Sequence, residues 1–212
     1  LQLRQAFVLT TTVWITTPAF GALPFVFADL GLSYTDAFFE AMSGITTTGS
    51  TVISGLEYAP PGILIWRALL QWMGGIGIIV TAVAILPLLQ VGGMQLFRME
   101  SSDASEKVLP RAAQLAGTIS IIYLCLSVVC ALVYWVAGMP ALDAAAHAMT
   151  TIATGGFSTS VLSIGIYDSS LIDYTAVVFM KIGSLPFRLY FQALRGHPLA
   201  DSYTHQTLPT KA

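Results

Sequence analysis

The chain has 212 residues and a formal net charge of -2; 55% of the residues are apolar and only 9% are charged, against roughly 25% charged in a soluble globular domain. The charges are clumped, so that Gln5 to Ala28, Ala68 to Phe97 and Ala112 to Leu142, runs of 24, 30 and 31 residues, contain no Asp, Glu, Lys or Arg. Each run exceeds the ~20 residues that carry a helix across a bilayer. This excludes a soluble enzyme, a nucleic-acid binder and a disordered chain, and makes the chain an integral membrane protein with membrane lipid as a partner.

The first apolar stretch, about Gln5 to Phe27, is a predicted span rich in threonine and interrupted by Pro18, both tolerated in lipid when hydroxyls bond the helix's own backbone. No cleavage site of a secretory signal stands behind it, and the sequence opens on Leu1 rather than Met. A shorter amphipathic piece follows, Tyr34 to Ile45, too short to cross a membrane, and then the string Thr46-Thr47-Thr48-Gly49-Ser50-Thr51. After Pro60-Pro61 a long helix is predicted from about Gly62 to Val91, in which Gly74, Gly75 and Gly77 allow close approach of a neighbour.

The segment Gly92 to Arg111 gathers Arg98, Glu100, Asp103, Glu106, Lys107 and Arg111, and reads as a loop or surface helix outside the bilayer. The pattern then begins again: a span at about Ala112 to Ala137, a short piece from Ala141 to Ile152, a string from Ala153 to Thr159, and an apolar stretch at about Leu171 to Leu194. A shift of 107 positions places Asp36-Ala37 on Asp143-Ala144, Ala41-Met42 on Ala148-Met149, Ile45 on Ile152, Thr47 on Thr154 and Gly49 on Gly156 without a gap. The chain is therefore an internal duplication of a spanning helix, a half-helix, an extended string and a second spanning helix. Its organisation reads as a first pore-loop repeat at 1–91, a cytoplasmic connecting loop at 92–111, a second repeat at 112–196 and a polar cytoplasmic tail at 197–212.

Arg4, Arg98, Lys107, Arg111, Arg188 and Arg195 fall at one set of helix ends, whereas Gly138 to Asp173 contains no Lys or Arg and Gly21 to Pro61 none either. The positive-inside rule puts the half-helices and strings at the outer side, beside Asp29, Asp36, Glu40, Glu57, Asp143, Asp168 and Asp173. An acidic mouth concentrates cations. Non-helical backbone at membrane depth survives only where it is buried in protein or lines a watery cavity. A half-helix entering from outside points its negative C-terminal end at the membrane centre, and the string beyond it can aim carbonyl oxygens at a dehydrated alkali ion.

Four motifs, Asp36 through Ser50, Gln71 through Ile78, Leu86-Pro87 with Gly92-Gly93-Met94-Gln95-Leu96, and Ile152 through Thr159, resemble the Trk/Ktr/HKT superfamily of potassium transporters, most closely its bacterial Trk branch. The resemblance covers about residues 5 to 196. It implies an all-α integral membrane fold of two outer helix, pore loop, inner helix repeats, half of a pseudo-fourfold cation pore in the bacterial inner membrane. It implies potassium passage through a backbone-carbonyl selectivity filter at Thr47, Thr48, Gly49 and Ser50 in the first unit and Thr154, Gly155, Gly156 and Phe157 in the second. No cofactor is implied, and no metal beyond potassium; Ser50, where a strongly selective filter would carry Gly, leaves sodium permeation open. A homodimer or a complementing transporter subunit would complete the pore, and a cytoplasmic nucleotide-binding regulatory subunit is implied by the family. The chain is expected to be a truncated member, with a non-conducting structural or regulatory membrane subunit as the alternative.

Several side chains invite stronger readings. Lys181 in the last stretch would be a pore or gating cation, but it lies seven residues from Arg188 on the cytoplasmic side, and its stem is expected to reach the interface. Arg67 is expected to pair with Glu57 or a half-helix carboxylate. His147, which matches Glu40 in the repeat, is expected to brace the filter; Asp36 and Asp143 are expected to cap their half-helices, and Cys125 and Cys130 to be apolar fillers. No Gly-x-Ser-x-Gly, paired catalytic Asp or His-Glu-x-x-His is present, so no enzyme is expected.

Overall fold

Threonine hydroxyls of the first apolar stretch bond back into their own helix, Thr12 to the carbonyl of Val8 and Thr16 to that of Thr12, both at 2.8 Å. The computed structural model describes residues 3–89 and 108–185, and among them the regular structure is helical, without strands. The first stretch is not one helix but two, α1 (Leu3–Gly21) and α2 (Leu23–Phe27). Pro24, in the first turn of α2, lacks the N–H that would continue the ladder and is tolerated only at a helix start.

The half-helices α3 (Tyr34–Ile45) and α6 (Ala141–Ile152) have the bounds expected from the sequence, 12 residues each. Their starts differ from expectation. Ser33, not Asp36, is the N-cap of α3: its hydroxyl accepts from the Asp36 N–H and the Asp36 carboxylate accepts from the Ser33 N–H, both at 3.2 Å, a reciprocal capping box. α6 starts at Pro140 with no side-chain cap, and Asp143 instead accepts from the Tyr167 hydroxyl at 2.7 Å. An aspartate three residues past the cap serves it by accepting from the capping residue's backbone N–H, and Pro140 has none.

The inner helix α4 spans Pro61–Leu89, the second outer helix α5 spans Val108–Val136, and α7 spans Ser170–Ser184. Residues 108–111 are thus the first turn of α5 rather than part of the connecting loop; the rest of the 92–111 segment, the end of the last apolar stretch and the 197–212 tail lie outside the described residues. Each unit has its own core. Ala37, Ala41 and Ile45 pack with Phe25, Leu64 and Leu70 in the first, and Ala144, Ala148 and Ile152 pack with Tyr123, Tyr134 and Ile172 in the second. The matched alanines let each half-helix sit deep among its neighbours. Cys130 is buried in the second core and Cys125 is exposed.

α4 packs against both half-helices, and its glycines show how. A Cβ on Gly74 would collide with the Ile45 carbonyl at the end of α3, and one on Gly75 would crowd Ala153 and the Tyr123 hydroxyl; Gly77 has nothing within 4 Å, so only two of the three expected contacts form. In α7 Gly183 repeats the device, with the Ile152 carbonyl as the neighbour. Outward, α5 exposes Ile121, Leu124, Val128, Leu132 and Trp135, an apolar face suited to lipid.

Candidate functional site: the two filter strings

The chain leaves each half-helix in the same way. In the first unit the N–H groups of Thr46, Thr47 and Thr48 bond back to the carbonyls of Met42, Gly44 and Ser43, all at 2.9 Å. In the second, Ala153, Thr154 and Gly155 bond back to Met149, Thr151 and Thr150 at 3.1, 3.0 and 2.9 Å. Every donor and every acceptor in one set lies 107 positions from its counterpart in the other. Thr47 and Thr154 sit at φ 56° and 54°, Gly49 and Gly156 at 81° and 82°. A β-branched residue in the left-handed region is strained, and strain of this kind persists where surrounding structure holds it in place.

Bond directions follow from the planar trans peptide, in which N–H and C=O point opposite ways. With the N–H groups of residues 47, 48, 154 and 155 turned back to the half-helices, the carbonyls of Thr46, Thr47, Ala153 and Thr154 point away from them. The Phe157 N–H donates to Oε1 of Gln71 at 3.0 Å, which turns the Gly156 carbonyl away from that side chain. The strings touch: a Cβ on Gly49 would run into the Gly155 carbonyl. Ser50 differs, because its carbonyl accepts the Ser43 hydroxyl at 2.6 Å. Neither half-helix has a basic residue in its last turn, so the negative ends of both dipoles remain uncompensated beside the strings.

Behind the strings lies a polar brace. Glu40, fully buried, accepts from the Thr51 hydroxyl at 2.9 Å, from the Val52 N–H at 3.0 Å and from Nε of Arg67 at 2.8 Å. The Arg67 guanidinium also donates to the Ser158 carbonyl at 2.7 Å and lies 4.1 Å from the centroid of the Phe157 ring. Of the two carboxylate partners expected for Arg67, the half-helix one is therefore taken. Glu57 accepts instead from the Val161 N–H at 2.9 Å and the Ser160 hydroxyl at 3.0 Å, joining the loops beyond the two strings; the backbone bond from Val161 is the main cause holding its carboxyl below the usual range.

His147 braces the second string as expected. Its Nδ1 lies 2.8 Å from the Asp143 carbonyl and its Nε2 3.0 Å from the Ser158 hydroxyl. A carbonyl can only accept, so Nδ1 carries a proton and donates it to Asp143. No group of three or more metal-ligating side chains occurs among the described residues. Lys181 is exposed on α7, and no carboxylate lies within ion-pair distance of it among the described residues.

The sequence reading missed three supporting side chains. Gln71, Ser43 and Ser158 each hold string backbone or a brace. Gln71 had a signal: it is the first amide in the charge-free run after Arg67, four residues on and therefore on the same helix face.

A family model described as TrkH, cation transport protein, matches residues 1–200. The Trk system potassium uptake protein TrkH of Salmonella typhimurium is 48% identical over 202 residues, covering 94% of this chain and 42% of the relative. The Trk system potassium uptake protein TrkI of Halomonas elongata is 48% identical, covering 92% of this chain and 40% of its own length. The crystal structure of the potassium transporter TrkH from Vibrio parahaemolyticus superposes with a TM-score of 0.80 at 45% identity, over 92% of this chain and 40% of that one. The chain thus spans about two fifths of the length of the relatives it matches.

Proposed function

Because this chain belongs to the TrkH cation transport family, we propose that it contributes two of the four units of a potassium-conducting pore in the bacterial inner membrane. Potassium sheds its water between the strings and is held by backbone carbonyls of residues 47–50 and 154–157, with Thr47, Thr48, Gly155 and Gly156 the main ligands and Ser50 a weaker one, since Ser43 occupies part of its carbonyl. The outer acidic residues gather cations and the half-helix ends offset the lost hydration. Sodium is the competing ion. The working partners are a second copy or a complementing transporter subunit, and a cytoplasmic nucleotide-binding regulatory subunit that meets residues 92–111.

One observation carries this reading: the same strained backbone, with φ near 55° at Thr47 and Thr154 and near 80° at Gly49 and Gly156, recurs after both half-helices. A turn that merely joins two helices needs no such duplication. The test is potassium-limited growth of an uptake-deficient bacterium, with this chain expressed alone and exchanged for the aligned segment of the Vibrio parahaemolyticus transporter. The exchanged pore is expected to restore growth and Gly156→Asp to abolish it with insertion intact. Undiminished potassium uptake by the Gly156→Asp pore contradicts the proposal. Restored growth by the chain alone identifies a homodimer or host subunit as the completing partner.

A further inference from the structure

We propose that Gln71 is a positioning residue that sets the ion selectivity of the neighbouring unit's string; the inference rests on the strings forming a potassium filter. α4 belongs to the first unit, yet Arg67 and Gln71 on one of its faces engage Ser158 and Phe157 of the second. Gln71 is fully buried. The string lies directly on it, since a Cβ on Gly155 would collide with the Gln71 amide.

Only half of that amide is used. Oε1 accepts the Phe157 N–H, whereas Nε2 is buried with no hydrogen-bond partner among the described residues. An unpaired buried donor is unfavourable, so packing alone would be better served by Leu or Met. The acceptor is the part with a role. Thr154 and Gly155 return their N–H groups to α6, but Gly156 has φ 82° and nothing within 4 Å of a Cβ. The peptide between Gly156 and Phe157 is therefore held in one orientation from outside its own unit. With the Phe157 N–H fixed behind the string, the Gly156 carbonyl faces the opposite side. In the first string Ser50, the residue that matches Phe157, is held by its own half-helix at the next peptide, where its carbonyl accepts from Ser43.

The experiment measures the potassium to sodium permeability ratio of the exchanged pore with Gln71, Gln71→Met and Gln71→Glu, together with hydrogen exchange at the Phe157 amide of the purified chain. Gln71→Met removes the acceptor at similar volume and is expected to lower the ratio about tenfold, the equivalent of one hydrogen bond, with faster exchange at Phe157. Gln71→Glu keeps an acceptor oxygen and replaces the unpaired donor by a second carboxyl oxygen, and is expected to keep both. An unchanged ratio in Gln71→Met, or a Gln71→Glu ratio that falls as far, overturns the inference. If Gln71→Met fails to insert, Gln71→Glu decides: retention supports the acceptor role and loss overturns it. An unselective pore with Gln71 intact sinks the potassium reading as well, whereas a selective one indifferent to both substitutions sinks this inference alone.

Discussion

The first and second strings share one backbone and are held by different chemistry. In the first, Glu40 clamps Thr51 and Val52 from its own half-helix, with Arg67 as its counter-ion. In the second, the residue matching Glu40 is His147, which reaches Ser158, and further support comes across the unit boundary from Arg67 and Gln71. Duplication kept the backbone path and let the supporting side chains diverge. The asymmetry also makes the second string dependent on the first unit: the Phe157 ring packs beside Gly44 and under Arg67.

The largest test of that dependence is Arg67→Met. Removing one partner of a buried ion pair strands the other, and the expected loss is about 3–5 kcal/mol of stability, read by denaturation in detergent. Adding Glu40→Leu should recover a large part of it, because the stranded charge is gone. A single substitution costing no more than a surface change would mean that Glu40 has another counter-ion.

Alanine at the matched glycines separates backbone strain from crowding. Gly49 and Gly156 share nearly the same φ, so each substitution should cost about 1–2 kcal/mol in conformation. Gly49→Ala also drives a methyl into the Gly155 carbonyl, while Gly156→Ala meets open space. Potassium uptake should therefore fall further in Gly49→Ala, and equal uptake in the two variants would show that the strings do not touch in the assembled pore.

Smaller effects sit at the half-helix starts. Ser33→Ala breaks the capping box of α3 and should cost about 1 kcal/mol, visible as faster hydrogen exchange in its first turn, with α6 unaffected. Smallest is the pH response of Glu57. Its folded-state pKa is lowered by the bonds from Val161 and Ser160, so its contribution is present above the unfolded carboxylate pKa and fades as pH falls through the folded one. The Val161 amide should lose exchange protection over that acid range, and Glu57→Gln should flatten the response.

Much of this was legible beforehand. Both half-helices could be bounded from the apolar pattern and the small-residue strings that stop them, and the pairing of Glu40 with His147 follows from register alone. The choice of Arg67 between Glu40 and Glu57 was not, because both carboxylates stand in the same outer half and only the packing of α4 against α3 brings one to its face. Gln71 joins Phe157 across 86 residues, a separation over which local periodicity carries no information. The aspartates misled for a different reason: Asp36 and Asp143 match in sequence, but Ser33 and Pro140 before them do not, and the residue at the cap decides what an aspartate three places on can do.

The most direct test of the account is anomalous diffraction from crystals of the exchanged pore grown in rubidium, an alkali ion close to potassium in size. The account predicts rubidium peaks between the strings, within coordination distance of the carbonyls of Thr47, Thr48, Gly155 and Gly156. An ordered filter with no peak there, or with rubidium held only by the outer carboxylates, would contradict it.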